Sequence, residues 1–156
     1  MKIGILDIQG SVIEHLEVLK KLGFSTEKGK SSTSIPNKIV VLVKNVSDME
    51  GLNGLIIPGG ESTTIGKLLR RFGLRDEIIK RVKKGMAVWG TCAGAILLAK
   101  KIMENPEEKK SSEKVDGLNL MDIVVARNAY GRQLDSFETQ VEFDCGIGGF
   151  GYKCPA

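Results

Sequence analysis

Three short apolar runs in this sequence stop at a glycine-bearing corner and give way at once to helix-like sequence. "KIGILDI" (2–8) ends at Gln9-Gly10, "GLIIPGG" (54–60) ends in its own Pro-Gly-Gly, and "MAVWG" (86–90) runs into Thr91-Cys92-Ala93-Gly94. A fourth run, "IVVLV" (39–43), follows the polar stretch 29–38. Runs of this length, apolar with little alternation, are the pattern of strands covered on both faces.

The segments between them carry a helical period. In "SVIEHLEVLKKLG" (11–23), Val12, Leu16, Leu19 and Leu22 recur at helical spacing, with Ser11 placed to cap the start and Gly23 to end it. "STTIGKLLRRFG" (62–73) has Ser62 or Thr63 at its N-cap and Gly73 beyond its end. "RDEIIKRVKKG" (75–85) and "AGAILLAKKI" (93–102) predict two more helices. Residues 103–117 read as a charged loop, 118–128 and 139–144 as later strands, and the glycine-rich last residues show no clear pattern. Strand and helix in alternation predict an α/β fold: a doubly wound, mostly parallel sheet with helices on both faces. Ligands of such sheets bind at the carboxyl ends of the strands. Gln9-Gly10, Gly59-Gly60-Glu61 and Cys92 are therefore expected along one edge.

The 156 residues suffice for one domain spanning 1–156, and at 5% aromatic content its core must be mainly aliphatic. The net charge of +4 is mild, and the basic clusters at Lys80–Lys84 and Lys109–Lys110 have acids close by. Without interleaved aromatics they read as solvated helix surface rather than a nucleic-acid footprint. No apolar run reaches the roughly 18 residues of a membrane span, and the N-terminus lacks a signal-peptide layout. Three cysteines without a close pair argue against a zinc site or a disulfide framework, so a reducing cytoplasm is the expected setting. Cys145 and Cys154 flank the glycine-rich tail and are expected to stay unpaired.

Gly90-Thr91-Cys92-Ala93-Gly94 has the G-x-nucleophile-x-G form. On a sharp strand-to-helix turn the central residue is held in a strained conformation with its side chain exposed. The flanking glycines avoid collisions that any β-carbon would make. The following helix N-terminus favours a thiolate, and the Ala93 amide would point at the same space, where it can stabilise an oxyanion. "PGGES" supplies a second corner whose unhindered amides can approach a substrate carbonyl oxygen.

These two motifs, in this order, resemble the class I glutamine amidotransferases. "LDIQGSVIEH", "GLIIPGGESTTIGKLL", "GTCAGAILLAK" and "LMDIVVARNAYGRQLDSFE" resemble more narrowly the glutaminase-subunit family of pyridoxal 5'-phosphate synthases, over most of residues 1–143. The loops at 24–38 and 103–116 are less typical. The resemblance implies a flavodoxin-like fold and hydrolysis of L-glutamine to glutamate and ammonia through a γ-glutamyl thioester on Cys92. It implies that Gly60, Glu61, Ser62 and Arg127 bind glutamine and that the amides of Gly60 and Ala93 form the oxyanion hole. Gln9 matches a position near that hole and near the synthase contact. Asn128, Tyr130, Arg132, Asp135 and Ser136 are expected to shape the pocket or the docking face. No cofactor or metal is implied. The partner implied is a pyridoxal 5'-phosphate synthase subunit, in a hetero-oligomer that receives the ammonia.

One departure stands out. The family carries a catalytic His and Glu in a histidine–proline–glutamate motif near the C-terminus, whereas this sequence holds a single histidine, His15, in the first helix. That histidine is expected to be partly exposed and paired with Glu14 or Glu17, not catalytic. The expectation is a C-terminally incomplete domain, with a sheet edge and apolar surface left uncovered. The alternative is a non-catalytic remnant that binds glutamine or the synthase. A flavodoxin-like cysteine protease or chaperone is a third possibility, opposed by "PGGEST" and "RNAYGRQLDSF".

Overall fold

The computed structural model describes residues 1–26, 37–103 and 114–129, with the backbone of 140–143 and 152–155. Strand β1 (Lys2–Leu6) leads into helix α1 (Val12–Lys21), then a two-residue strand β2 (Ser25–Thr26) and β3 (Ile39–Val43). A 3-10 turn (Val46–Met49) precedes β4 (Gly54–Ile57), helices α2 (Ser62–Arg71) and α3 (Leu74–Lys83), strand β5 (Ala87–Gly90) and helix α4 (Ala93–Leu98). Strands β6 (Ala99–Met103), β7 (Met121–Ala126), β8 (Gln140–Phe143) and β9 (Tyr152–Pro155) follow.

The main sheet has the order β2-β3-β1-β4-β5, and every pairing in it is parallel. The chain steps from β1 outward to β3, then returns to the other side of β1 through β4. That reversal is a topological switch point, where α/β sheets open a crevice at the strand carboxyl ends. Alternation along each strand sends neighbours to opposite faces. Ile5 and Ile56 join Val12 and Leu19 of α1 in one apolar cluster. Leu6, Leu55 and Ile57 join Ile65, Leu69, Ile78 and Leu97 of α2, α3 and α4 in a larger one. This is the doubly wound, flavodoxin-like arrangement expected from the sequence.

The helix expected over 93–102 stops at Leu98. The N–H groups of Leu118 and Leu120 donate to the carbonyls of Leu97 (2.6 Å) and Leu98 (2.9 Å). These bonds satisfy carbonyls that a continuing helix would otherwise use. Ala99 turns extended (φ −59°, ψ 142°), and β6 pairs in parallel with β7. Two more strands fall where none was expected: β2, inside the presumed loop, and β9, which pairs antiparallel with β8 in the glycine-rich tail. Two helix caps also differ from the expectation. Ser11 occupies the N-cap of α1 but makes no side-chain cap, and α2 is capped by Glu61 rather than Ser62 or Thr63.

Beyond α1, described residues leave part of the sheet face open. Met1, Ile3, Leu22, Ala87, Val88 and Trp89 border an apolar groove there, and Trp89 on β5 is 64% exposed. Among the described residues β5 pairs on one side only, with β4. No helix among them is long and apolar enough to cross a membrane.

Candidate active site

The turn after β5 is an elbow. Thr91 extends the ladder by donating its N–H to Ile57 O (3.1 Å). Cys92 then takes φ 49° and ψ −111° and serves as the N-cap of α4. A non-glycine residue at positive φ is uncommon and costs of order 1–3 kcal/mol when the surroundings impose it. The surroundings here do. A β-carbon on Gly94 would overlap the carbonyl oxygen of Ile57, and one on Gly90 would lie 2.5 Å from Gly94 O and 2.6 Å from Ala95 N. Strand and helix thus meet backbone to backbone on both sides of the cysteine, whose residue is exposed.

The Pro-Gly-Gly corner stands beside this elbow. A β-carbon on Gly59 would sit 3.4 Å from that of Cys92. The corner is in turn held by the β1–α1 junction. Ser11 donates its N–H to Gly59 O (3.0 Å), and Gly10, at φ 112°, passes so near that a β-carbon would overlap that oxygen. Gln9 lies over the second glycine: its Oε1 accepts the Glu61 N–H (3.2 Å) and would be 2.5 Å from a Gly60 β-carbon. The three corners read in the sequence therefore do converge on one edge of the sheet.

Glu61 caps α2. Its Oε1 accepts from the Thr63 N–H (3.1 Å) and its Oε2 from the Thr64 N–H (2.6 Å) and from the Thr63 hydroxyl. Partial desolvation pushes its pKa up, but these Thr63 and Thr64 bonds outweigh it and bring the carboxyl down to about 2 from 4.5. A folded-state pKa below the unfolded one adds stability at neutral pH, present above about 4.5 and lost as pH falls toward 2. The side chain is 48% exposed, so solvent screening limits the contribution to about 1 kcal/mol. Urea midpoints of the wild type and Glu61→Gln are accordingly expected to differ at pH 7 and to converge between pH 4.5 and about 2; a gap that persists unchanged at low pH refutes the ionised cap.

Arg127, at the end of β7, is the distant residue that joins this group. Its side chain is only 12% exposed, and its Nη2 lies 3.7 Å from Glu61 Oε1. The backbone N–H of Arg127 donates to Met103 O (2.9 Å), so the β6–β7 pair carries it to the site. At the far end of α2, Asp116 accepts from Arg70 Nε (2.7 Å) and pairs with Arg75 Nε (3.4 Å). Ser62, the first residue of α2, is buried at 4% exposure. Ala93 is the buried first residue of α4, where N–H groups lack intrahelical acceptors. Asn128 adopts φ 52° in the next turn. Tyr130, Arg132, Asp135, Ser136 and Cys145 lie outside the described residues, as does the side chain of Cys154.

His15 corrects an expectation. It turns inward from α1, not toward Glu14 or Glu17, and its Nε2 shares a 3.0 Å hydrogen bond with Thr91 Oγ1. The signal was available in part: position 15 lies three after buried Val12 and four before buried Leu19, on the sheet-facing stripe. The basic run on α3 behaves as surface, Lys80 and Arg81 both pairing with Glu77 (3.1 and 2.7 Å). An exposed thiol on a strained turn, glycine amides beside it, and an ionised carboxylate next to a sheltered guanidinium suit covalent acyl transfer from an amino acid carrying both charges.

The sequence profile of the SNO glutamine amidotransferase family matches residues 5–150. The chain is 49% identical over 140 residues to the pyridoxal 5'-phosphate synthase subunit PdxT of Caldicellulosiruptor saccharolyticus, covering 90% of this chain and 63% of that protein. It is 46% identical over 150 residues to the PdxT of Thermoplasma acidophilum, covering 96% of this chain and 65% of that one. The chain therefore spans a little under two thirds of these relatives. A crystal structure of a glutamine amidotransferase superposes with a TM-score of 0.67 at 41% identity, over 98% of this chain and 70% of that one.

Proposed function

The chain belongs to the SNO glutamine amidotransferase family, and from that premise we propose that it acts as a glutaminase subunit. Cys92 attacks the side-chain amide of L-glutamine, ammonia leaves, and water hydrolyses the γ-glutamyl thioester to glutamate. The observation that carries this reading is the placement of an exposed cysteine, at φ 49°, alongside Gly59 and Gly60. Gly60 and Ala93 are the proposed amide donors to the oxyanion that forms during attack. Glu61 is the proposed partner of the substrate ammonium, which its low pKa keeps it ready to meet. Arg127 takes the carboxylate, and Ser62 closes the pocket at the start of α2. The two relatives named as pyridoxal 5'-phosphate synthase subunits support a synthase subunit as the partner and recipient of ammonia. An exposed thiol nucleophile suits a reducing compartment such as the cytoplasm.

One observation favours a second reading, a glutamine-binding subunit without turnover. Among the described residues His15, of the residue type best suited as a base at neutral pH, is bonded to Thr91. The diazoketone glutamine analogue 6-diazo-5-oxo-L-norleucine tests the first reading directly. A single adduct on the Cys92 peptide is expected, suppressed by L-glutamine and missing from Cys92→Ala. Failure to label Cys92 refutes the nucleophile. Glutamate release in the presence of the Thermoplasma acidophilum synthase subunit then separates turnover from binding.

A further inference from the structure

The first helix touches the site at two places that the proposed chemistry does not use. Its N-cap residue holds Gly59 through the Ser11 N–H (3.0 Å). One turn on, the part-buried His15 side chain reaches across 76 positions of sequence to Thr91, the residue before the nucleophile (3.0 Å). The elbow needs such an anchor. Cys92 sits in a backbone conformation that L-residues rarely adopt, and strain of this kind persists only where neighbouring structure over-determines it. Gly90 and Gly94 fix the turn from the β4 and α4 sides. On the α1 side the described structure supplies one side-chain bond, that of His15.

We propose that His15 is a positioning residue: through the Thr91 hydroxyl it locks the elbow to α1 and sets the presentation of the Cys92 thiol beside the Gly59-Gly60 corner. It acts through Thr91 and has no contact with substrate. The bond also gives α1 mechanical continuity with both halves of the site, since the same helix holds Gly59. A load on the outer face of α1, where Ile13 is 68% and Val18 53% exposed, would then be felt at both Gly59 and Thr91.

The proposal rests on the reading of Cys92 as a reactive thiol, but its test needs no glutamine. The rate of Cys92 alkylation by iodoacetamide is followed in the full chain, with peptide mass spectrometry separating it from Cys145 and Cys154. His15→Ala and Thr91→Val are each expected to slow alkylation about three- to tenfold, and the double variant to be no slower than either, the signature of residues acting as one unit. His15→Gln, whose amide can replace the ring nitrogen, is expected to restore most of the rate, as is Thr91→Ser. Circular dichroism checks that each variant is folded, and Gln and Ser keep the test decisive if Ala or Val is not. Effects under twofold, effects that multiply independently, or failure of both conservative variants to recover the rate would overturn the proposal. Diazoketone labelling that fails while this coupling holds would overturn the glutaminase reading alone.

Discussion

Gly94→Ala is expected to be the most damaging conservative change in the main domain core, at roughly 3 kcal/mol or more. The added methyl meets the Ile57 carbonyl oxygen, and neither side can retreat. Ile57 lies in β4, fully buried, and its oxygen already accepts the Thr91 N–H. Gly94 is buried in the first turn of α4, a helix whose Ala93, Leu97 and Leu98 belong to the larger apolar cluster. Moving either residue opens the elbow or the core. For a domain of this size the loss corresponds to a Tm drop of roughly 6–12 °C, measurable by calorimetry or thermal circular dichroism. Gly51→Ala is the control. Gly51 has φ 68° with nothing within 4 Å of a β-carbon, so only the left-handed conformation opposes it, at about 1 kcal/mol. Equal costs for the two would refute the steric account.

Cys92→Gly is expected to stabilise the fold while abolishing diazoketone labelling completely. The cysteine side chain is exposed, so its removal leaves no cavity, and glycine occupies φ 49°, ψ −111° without a β-carbon penalty. Strain relief of about 1–3 kcal/mol, set against about 0.5–1 for the greater freedom of unfolded glycine, leaves a net gain near 1 kcal/mol. Cys92→Ala keeps the β-carbon and therefore the strain: labelling is lost and Tm stays where it was. A glycine variant no more stable than the alanine variant refutes the strained elbow. Function would here be held at the expense of stability, a trade common at active sites.

The sequence made some of these features legible and hid others for definable reasons. The corners were readable because glycine leaves few physical explanations: Gly10, Gly90 and Gly94 each stand where a β-carbon would strike backbone. The Glu61 cap was displaced by one position because glutamate is a poor N-cap by propensity. Its recruitment depends on two following threonines whose amides both point at it. Residues 93–102 misled because "AGAILLAKKI" satisfies a helical period throughout. Its true end is dictated by Leu118 and Leu120, about twenty positions downstream, whose N–H groups take the carbonyls of Leu97 and Leu98. His15 to Thr91 and Arg127 to Glu61 are likewise long-range pairings. No window of local periodicity contains both partners. Among the described residues, Trp89 with its neighbours on β1 and β4 borders an apolar groove, which single-sequence patterning leaves unmarked because these residues come from separate strands.

The order in which the site is built along the chain has a consequence for synthesis. All five strands of the main sheet, and the three corners that form the site, lie within residues 2–94. A nascent polypeptide emerging from the ribosome can therefore set the elbow while Arg127 is still inside the exit tunnel, and the later segment arrives at a pocket already shaped. Ribosome-stalled chains ending well past Leu98 should already expose a Cys92 that modifies selectively, whereas the guanidinium that completes the charge pair joins only afterwards.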